Sequence, residues 1–361
     1  MKTALLHYWL LSMRGGEQVL QAIARQFPEA PIYTHACRRS AIAPDLLAHP
    51  IHESLIAHLP QGRRRCQAYL PLMPLALRRW DFSGFDLLIS SESGPVKGIR
   101  KPPHARHLCY CHTPMRYLWD LADDYYRRAG LAGRLAMRLF TPALRRYDLR
   151  SAECVDRFVA NSAFVADRIR RVYGREAAVV YPPVAVDRFA AAPQRPRDYW
   201  LWLGALVPYK APDVLIEAFR GLGERLVVAG DGPLLRTLRK AAPPNVTFLG
   251  RVPDAELPGL YAGAKGLLFP GVEDFGIVPV EAQAAGTPVL ALRAGGALET
   301  VREGETGLFF DVPTPAAIRA AIEEAKSRRW DVAALRRNAA RFAPEHFAAA
   351  FAAQLSALMA R

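Results

Sequence analysis

Short apolar runs alternate with longer amphipathic segments along the whole chain. In the longer segments apolar residues recur at helical spacing, whereas the short runs between turn residues are typical of buried strands. The predicted strands are residues 4–9, 85–89, 107–111 and 157–160 in the first half, and 199–203, 225–229, 246–249, 266–270 and 288–291 in the second. This alternation predicts an α/β fold with two doubly wound parallel sheets.

An irregular connector separates the two halves. Residues 179–183 end in two prolines, and residues 190–197 are rich in proline and have no regular pattern. We therefore predict a first domain over residues 1–183, a second over 184–335, and a C-terminal helix over 336–361 that can return to the first domain. Ligands of doubly wound sheets bind beyond the carboxyl ends of the strands, so we expect the two sheets to face each other across a cleft.

Length and composition agree with this organisation. The 361 residues suffice for two α/β domains of ordinary size, and a hydrophobic fraction of 51% excludes wholesale disorder. The five cysteines form no C-x-x-C pair and no disulfide framework, as expected in a reducing compartment. The apolar start of the chain lacks a following cleavage site, which favours a buried strand over a signal peptide. No stretch is long and apolar enough to span a bilayer, and we expect a cytoplasmic location.

Two glycines lie between the first predicted strand and the first predicted helix. At Gly15 and Gly16 backbone N–H groups can approach a phosphate closely, although a plain tight turn is the alternative. The full G-x-G-x-x-G fingerprint is absent there and also at residues 227–233, where Pro233 follows the second glycine. The sequence therefore disfavours a dinucleotide-binding dehydrogenase.

Two acids in an E-x7-E spacing dominate the second half. Glu273 lies in the loop after the strand at residues 266–270, and Glu281 lies about two turns further on, along a predicted helix. Residues 274–277 fall at the helix N-terminus, where free N–H groups and the helix dipole favour an anion. Carboxylates on both sides of an anion suit a nucleotide-sugar, whose diphosphate separates sugar hydroxyls from ribose hydroxyls. For this spacing alone, two solvated surface acids are the alternative.

A polar and aromatic cluster follows the strand at residues 107–111. It begins with His112 and continues with Arg116, Tyr117, Trp119 and Asp120. The spacing is not helical, which indicates a loop at the carboxyl end of a strand. Aromatic faces with polar edges suit a sugar ring, so we predict a functional histidine, with a structural one as the alternative.

The formal net charge of +14 points to an anionic partner. Residues 63–79 and 127–150 combine arginine with leucine, methionine and aromatic residues and contain almost no acid. This pattern is typical of helices at an anionic membrane surface, although helices with solvated arginine faces are the alternative. No nucleic-acid reader motif accompanies the charge, so we expect no nucleic-acid partner.

Several short motifs occur in the order seen in a known family. They are the Gly15-Gly16 turn, CHTPMRYLWD at residues 111–120, Asn161-Ser162, Tyr181-Pro182-Pro183, Gly204-x5-Lys210, Gly230-Asp231-Gly232-Pro233 and Glu273-x7-Glu281. On these motifs nearly the whole chain resembles the family-4 retaining glycosyltransferases, which have the GT-B fold of two Rossmann-like domains. The CHTPMRYLWD loop is similar, more narrowly, to bacterial mannosyltransferases that build O-antigen and exopolysaccharide repeat units.

The resemblance implies a role for each matched residue. Lys210 would pair with the donor diphosphate, Glu281 with the ribose hydroxyls, and Glu273 with the outer hydroxyls of the donor sugar. His112 would line the reacting sugar, so that His112, Lys210 and Glu273 are the implied catalytic residues. The other implied donor contacts are Gly15, Gly16, Arg251, Phe275, Gly276 and Ile277, and the implied acceptor-side residues are Arg116, Tyr117, Trp119 and Asp120.

The resemblance also implies partners and a location. The expected donor is GDP-mannose, and the expected acceptor is a polyprenyl-diphosphate-linked oligosaccharide, with the protein peripheral at the inner face of the cytoplasmic membrane. No cofactor or metal is expected, because Lys210 and a helix N-terminus would neutralise the leaving diphosphate. Retention is expected to proceed by front-face attack, with electrostatic stabilisation of the leaving group as the largest effect.

One position departs from the family pattern. An arginine usually precedes the lysine by five residues, and here Ala205 occupies that position. Losing this arginine removes a charge-assisted pair worth about 1.5–3 kcal/mol. Arg14 or Arg251 would have to take its place, or the donor binds weakly, or the protein is a non-catalytic partner that binds nucleotide-sugar. A UDP-sugar donor is the other alternative.

Overall fold

The computed structural model describes residues 1–192 and 195–360. Residues 193 and 194 of the predicted connector and residue 361 of the predicted C-terminal helix lie outside the described residues. The chain divides into two compact units, which are Met1–Pro182 with Phe347–Arg361, and Pro183–His346.

The first unit is built on a seven-stranded sheet in which every pair of neighbouring strands is parallel. Its strand order is β3-β2-β1-β4-β5-β6-β7. The strands are β1 Thr3–His7, β2 Ile32–Thr34, β3 Ile51–Glu53, β4 Leu87–Glu92, β5 Arg106–Cys111, β6 Arg157–Ala160 and β7 Ala177–Val179. Four of them correspond to the predicted strands, while β2, β3 and β7 were not predicted because three residues are too few to form a recognisable apolar run.

Helices connect these strands. They are α1 Gly15–Ala24, α2 Pro44–Leu47, α3 Met73–Leu77, α4 Ala122–Arg128, α5 Leu131–Glu153 and α6 Ala163–Tyr173, with 3₁₀ turns at Arg39–Ala41, Leu55–His58, Cys66–Leu72 and Val96–Gly98. The basic stretch 127–150 is thus divided between α4 and α5. The other basic stretch, 63–79, forms the 3₁₀ turn Cys66–Leu72 followed by the short α3.

The second unit is built on a six-stranded parallel sheet of order β10-β9-β8-β11-β12-β13. Its strands are β8 Tyr199–Leu203, β9 Leu226–Ala229, β10 Val246–Gly250, β11 Ala264–Phe269, β12 Val289–Leu292 and β13 Gly307–Phe310. Its helices are α7 Val186–Ala190, α8 Pro212–Ala218, α9 Leu235–Ala241, α10 Leu257–Ala262, α11 Ile277–Ala284, α12 Ala297–Thr300, α13 Pro315–Ser327 and α14 Val332–Ala340, with 3₁₀ turns at Pro208–Lys210 and Asp254–Glu256. Both sheets are doubly wound, as predicted.

The last helix completes the core of the first unit. Within the predicted C-terminal helix, residues 336–340 are the end of α14, and α15 Pro344–Met359 follows after a break. Phe347 and Phe351 of α15 are buried in the cluster that contains Leu5 and Tyr110 of the first sheet. Apolar burial of this kind stabilises the helix far more than its intrinsic propensity does. Among the described helices, none has the length and apolarity needed to cross a bilayer.

Candidate active site

The strand order of the second sheet fixes where a ligand is expected. From β8 the chain continues outward to β9 and β10, and from β11 it continues in the opposite direction to β12 and β13. The loops after β8 and β11 therefore diverge and leave a crevice between them, which is where doubly wound sheets bind ligands. Lys210 lies in the segment after β8, and Glu273 lies in the loop after β11.

These two loops bring Lys210 and Glu273 together. The Lys210 Nζ atom lies 2.6 Å from Glu273 Oε1, and the two side chains are only 20% and 17% exposed. The Gly271 backbone is in close contact with that of Lys210, because a Cβ atom on Gly271 would lie 2.5 Å from Lys210 Cα. The Gly204 backbone approaches the lysine side chain, because a Cβ atom there would lie 3.3 Å from Lys210 Nζ. Glycine at both positions thus permits the approach that forms the ion pair.

The loop that carries Glu273 is tightly held before α11 begins. The Gly296 N–H donates to Glu273 O at 2.9 Å, and Phe275 is buried with its ring 5.3 Å from that of Phe342. Gly276 caps α11 at φ +91°, a backbone conformation that favours glycine. The first-turn N–H groups of α11, beginning at Ile277, have no acceptor within the helix and can bind an anion.

Glu281 lies one helical turn further along α11. It is half-buried and accepts a hydrogen bond from Tyr261 Oη at 2.7 Å. Burial raises the pKa of Glu281 to about 7, and the Tyr261 hydrogen bond and the Arg188 charge only partly oppose this effect. The carboxyl group therefore changes its protonation near neutral pH.

The carboxyl ends of β8, β9 and β10 meet beside Lys210. Gly230, at φ +133°, donates its N–H to Gly250 O at 2.6 Å, and a Cβ atom on Gly230 would lie 1.8 Å from Gly204 O. Arg251 follows Gly250 directly and is exposed. Ala205 lies just after β8, at the position where the family that the sequence resembles has an arginine. Arg251 follows β10, which is two strands away from β8 in the sheet.

The first unit has its own crevice at the same topological position. The strand order of its sheet reverses between β1 and β4, because the chain adds β2 and β3 on the side of β1 and adds β5, β6 and β7 on the side of β4. The helix α1 begins at Gly15, after β1. A Cβ atom on Gly16 would lie 3.0 Å from Tyr8 Oη and 3.5 Å from His112 Nε2. The structure therefore brings together Gly16 and His112, which the sequence singled out independently.

His112 is fixed on three sides. The ring atom Nε2 is 2.9 Å from Ser91 Oγ. The backbone N–H of His112 donates to Glu92 O at 2.8 Å, and its backbone carbonyl accepts from Asn161 Nδ2 at 3.0 Å. Burial lowers the pKa of His112 to about 4, so the imidazole is neutral at physiological pH. Ser91 was not predicted from the sequence. It is the residue before the end of β4, which pairs with the strand that precedes His112, and only the strand order of the folded sheet shows that the two residues meet.

The four residues after His112 that were predicted to contact the acceptor have contacts within the first unit. Trp119 Nε1 donates to Asp148 Oδ2 at 2.7 Å, Tyr117 Oη donates to Met115 Sδ at 2.8 Å, and Asp120 forms an ion pair with Arg168. Arg116 is half-buried in the same loop. These contacts hold the loop at residues 112–120 in one conformation, and a role in acceptor binding stays a prediction.

Beneath this loop lies a fully buried charge network. Lys97 Nζ is 2.5 Å from Asp148 Oδ1 and 3.2 Å from Glu92 Oε1, and Tyr173 Oη donates to Asp148 Oδ2 at 3.0 Å. Burial alone would lower the pKa of Lys97, but the two carboxylates outweigh it, and that pKa stands well above its usual value. Burial raises the pKa of Glu92, and Lys97 partly opposes this. Across the residues that the structure describes, no group of three or more His, Cys, Asp or Glu side chains could hold a metal ion.

Solved structures establish the fold by comparison. Anabaena HepE in complex with UDP and glucose superposes with a TM-score of 0.69 at 18% identity and covers 99% of both chains. Sucrose-phosphate synthase from Thermosynechococcus elongatus superposes with a TM-score of 0.72 at 17% identity and covers 100% of both chains. The expected GT-B fold of two parallel-sheet α/β domains is confirmed.

Sequence relatives are similar over part of their length. The GDP-mannose-dependent alpha-(1-6)-phosphatidylinositol monomannoside mannosyltransferase of Mycobacterium tuberculosis is 38% identical, over 42% of this chain and 47% of the relative. The D-inositol 3-phosphate glycosyltransferase of Streptomyces avermitilis is 29% identical, over 67% of this chain and 71% of the relative. The chain thus spans about half the length of the mannosyltransferase that it matches.

Two family models match successive parts of the chain. Residues 13–188 match the model described as Glycosyltransferase Family 4, and residues 185–345 match the model described as Glycosyl transferases group 1. The two matches overlap at residues 185–188 and together span residues 13–345. Residues 13–188 are therefore similar to one glycosyltransferase family and residues 185–345 to another, so that nearly the whole chain resembles glycosyltransferases.

Proposed function

We propose that the protein is a retaining glycosyltransferase that moves mannose from GDP-mannose to a lipid-linked oligosaccharide during the synthesis of a bacterial surface polysaccharide. The observation that carries this proposal is the part-buried pair of Lys210 and Glu273 at the switch point between β8 and β11. Two family matches and a relative named as a GDP-mannose-dependent mannosyltransferase support the reaction class and the donor.

The donor would lie along the loop that leads into α11. Its diphosphate would bind Lys210 Nζ and the free N–H groups at Ile277, its sugar hydroxyls would bind Glu273, and its ribose hydroxyls would bind Glu281. As the bond between the anomeric carbon and the phosphate oxygen breaks, negative charge grows on the leaving diphosphate, and Lys210 with the helix N-terminus stabilises it. The acceptor oxygen forms the new glycosidic bond on the face that the phosphate leaves, and the phosphate oxygen takes the acceptor proton.

The affinity for GDP-mannose should rise with pH between pH 6 and pH 8. An ionised carboxylate is the stronger acceptor of ribose hydroxyls, and with a pKa of about 7 Glu281 is mostly protonated at pH 6 and mostly ionised at pH 8. The difference in Kd is expected to be about tenfold at most, as follows from the ionised fractions. Calorimetric titration with GDP-mannose, which has no group that titrates in this range, measures it.

The Glu281→Gln variant is the control for this pH dependence. It should bind GDP-mannose weakly and equally at pH 6 and pH 8. If the variant keeps the dependence of the unsubstituted protein, another group is responsible and Glu281 does not contact the ribose.

His112→Ala should lower kcat without weakening the binding of GDP. The imidazole lies in the first unit, beside Gly16, and its Nε2 atom contacts Ser91. In the proposal His112 lines the reacting sugar and does not contact the nucleotide, so its loss should affect turnover more than nucleotide binding. Because the pKa of His112 is about 4, its titration should not change kcat between pH 6 and pH 8. Steady-state kinetics with GDP titrations separate the two effects.

His104→Ala is the matched control for that experiment. His104 is exposed and precedes β5, whereas His112 follows the same strand at its other end. The control should behave like the unsubstituted protein. An unchanged kcat in His112→Ala would make this histidine a purely structural residue.

Two alternatives differ from the proposal in the donor or in catalysis. A UDP-sugar donor is supported by the likeness to a fold solved with UDP and glucose, and a non-catalytic nucleotide-sugar-binding partner is supported by Ala205. The exposed Arg251 supports an active enzyme, because it directly follows β10, at the same edge of the sheet as the loops after β8 and β11, and could supply the second cation. Thermal unfolding with GDP, UDP, GDP-mannose and UDP-glucose distinguishes these donors, since ligands that bind only the folded state raise Tm.

The proposed location is the inner face of the cytoplasmic membrane, with the protein bound peripherally. A polyprenyl-diphosphate-linked acceptor keeps its phosphates at the headgroup level, and the arginine-rich segments of the first unit would be attracted to anionic lipids there, at about 1 kcal/mol for each arginine near the surface. Not every arginine is available, because Arg63 is held by Glu53 through two hydrogen bonds of 3.0 and 2.6 Å.

A further inference from the structure

The helix α5 has two halves with different surroundings. Its four buried side chains, Leu144, Asp148, Ser151 and Ala152, all follow Pro142. Proline lacks an N–H group and interrupts the hydrogen-bond ladder of the helix at that point. Before Pro142, none of the described side chains of α5 is buried, so residues 131–141 extend away from the core of the first unit.

Large apolar side chains lie on this exposed half. Leu131, Leu135 and Leu139 are 86%, 69% and 68% exposed, and their four-residue spacing places them on one face of the helix. We call these three residues the leucine stripe. Tyr125 and Tyr126 of the neighbouring α4 and Phe140 are also exposed. Several large apolar side chains exposed on neighbouring helical turns are more typical of a binding surface than of a solvated helix.

Arginines flank the leucine stripe. The first half of α5, residues 131–141, contains Arg134 and Arg138 and no acid. The helix α4 adds Arg127 and Arg128 beside two acids, Asp123 and Asp124, of which Asp124 pairs with Arg127, so the surface keeps a net positive charge. Arg134 joins α4 to α5 by donating to the carbonyls of Tyr126 and Arg127, so the two helices present one surface. Arg138 lies within the exposed half, and its guanidinium forms no ion pair with the described residues. A partner that is apolar inside and anionic at its edge complements this surface.

We infer that α4 and the first half of α5 form the surface by which this protein enters an anionic lipid bilayer. The leucine stripe would lie at the boundary between acyl chains and headgroups, with the arginines beside it at the lipid phosphates. The inference rests on the proposed function, since a lipid-linked acceptor is what requires an enzyme at this surface. It assigns no insertion to residues 63–79, where Leu72 and Leu75 are exposed but the neighbouring Met73 and Leu77 are buried, so that no stripe of three exposed leucines forms.

The second half of the same helix holds the loop of His112. Arg145 Nε donates to Leu118 O at 2.7 Å, and Asp148 accepts from Trp119. Leu139 and Asp148 are nine residues apart on α5, which corresponds to about 14 Å along the helix axis. Docking through the leucine stripe would therefore bring the loop at residues 112–120 within reach of a sugar attached to a lipid phosphate.

Sedimentation with liposomes tests the inference on the full chain. The probes are vesicles of phosphatidylcholine alone and vesicles that also contain phosphatidylglycerol. The unsubstituted protein should bind the anionic vesicles, and Leu131→Ser with Leu135→Ser and Leu139→Ser should lower the partition coefficient by about tenfold or more, because the stripe then has little apolar surface to insert. Leu298→Ser, at a leucine 53% exposed in the second unit, is the matched control and should bind normally.

A second measurement locates the inserted residue directly. In a Cys154→Ser background, which removes the exposed native thiol, Leu135→Cys and Leu72→Cys are labelled with an environment-sensitive fluorophore. The probe at 135 should shift to the blue with anionic vesicles, and the probe at 72 should shift far less. Unchanged Tm values show that the variants are folded.

The outcomes that overturn the inference differ from those that overturn the proposed function. Equal binding by the unsubstituted protein and the triple leucine variant, or no binding to anionic vesicles at low salt, would overturn it. So would a dimer in sedimentation equilibrium that the leucine substitutions dissociate, since the stripe would then bind a second copy of this chain. None of these assays contains a sugar nucleotide, so a failure of donor binding would be seen separately in the thermal unfolding series.

Discussion

Replacing Lys210 with alanine should lower kcat for sugar transfer by about 10²–10³-fold and leave the protein folded. This is the loss expected when one group that stabilises developing negative charge is removed from a preorganised site. Lys210 is held by its 2.6 Å contact with Glu273 and by the close approach of Gly204 and Gly271, so its charge is positioned before a substrate binds. Nucleotide release from GDP-mannose under saturating conditions measures the effect.

Lys265→Ala is the matched control for this prediction. Lys265 also forms a part-buried ion pair in the second unit, with Glu224 at 2.5 Å, but it lies near the start of β11, while the loop of Glu273 follows the end of that strand. The control variant should therefore keep its activity even if it loses some stability. Transfer by Lys210→Ala at the unsubstituted rate would remove Lys210 from the catalytic residues.

Most strands could be predicted because parallel strands buried on both faces are short apolar runs. The run at residues 199–203 is β8, and the run at residues 107–111 is nearly the whole of β5. The strands that were missed are edge or outer strands of three or four residues, such as β3 and β13. Their few residues are also compatible with loops, and only the sheet beside them selects the extended conformation.

Helical spacing predicted the existence of α5 but not its exposure. Leucine at every fourth position is the pattern of a helix face buried against a core, and the same pattern here belongs to residues with no core to cover. Which apolar face is covered depends on the neighbouring elements, and a single sequence does not contain that information. The break between α4 and α5 at residues 129–130 was also missed, although Gly130 signals it.

The proposed donor site could be outlined from the sequence because each of its residues belongs to a short recognisable motif. Glu273 and Glu281 are eight residues apart, and Lys210 belongs to a recognisable segment after β8. Contacts that depend on strand order were not predictable, such as that between Ser91 and His112. They form only because β4 and β5 are neighbours in the first sheet, a fact that the pattern of apolar runs does not determine.

Asp148→Ala should lower the free energy of unfolding by about 3–5 kcal/mol, the cost typical of breaking a buried ion pair by removing one partner. Asp148 is fully buried, and its carboxylate accepts from Lys97 at 2.5 Å, Trp119 at 2.7 Å and Tyr173 at 3.0 Å. Alanine would leave the Trp119 and Tyr173 donors without an acceptor and the Lys97 ammonium with Glu92 alone. Denaturant unfolding measures the loss.

Two further variants separate the buried network from a general effect of losing a carboxylate. Asp148→Asn keeps an oxygen for Trp119 and should cost less than alanine. Asp45→Ala removes the exposed 3.1 Å pair with Arg25 and the 2.8 Å hydrogen bond from Gln21, and should cost about 1–2 kcal/mol. Because Trp119 anchors the loop that begins at His112, Asp148→Ala should also lower kcat, while the Tm increase caused by GDP is retained. Equal stability of Asp148→Ala and Asp45→Ala would show that the network beneath the loop contributes nothing to folding.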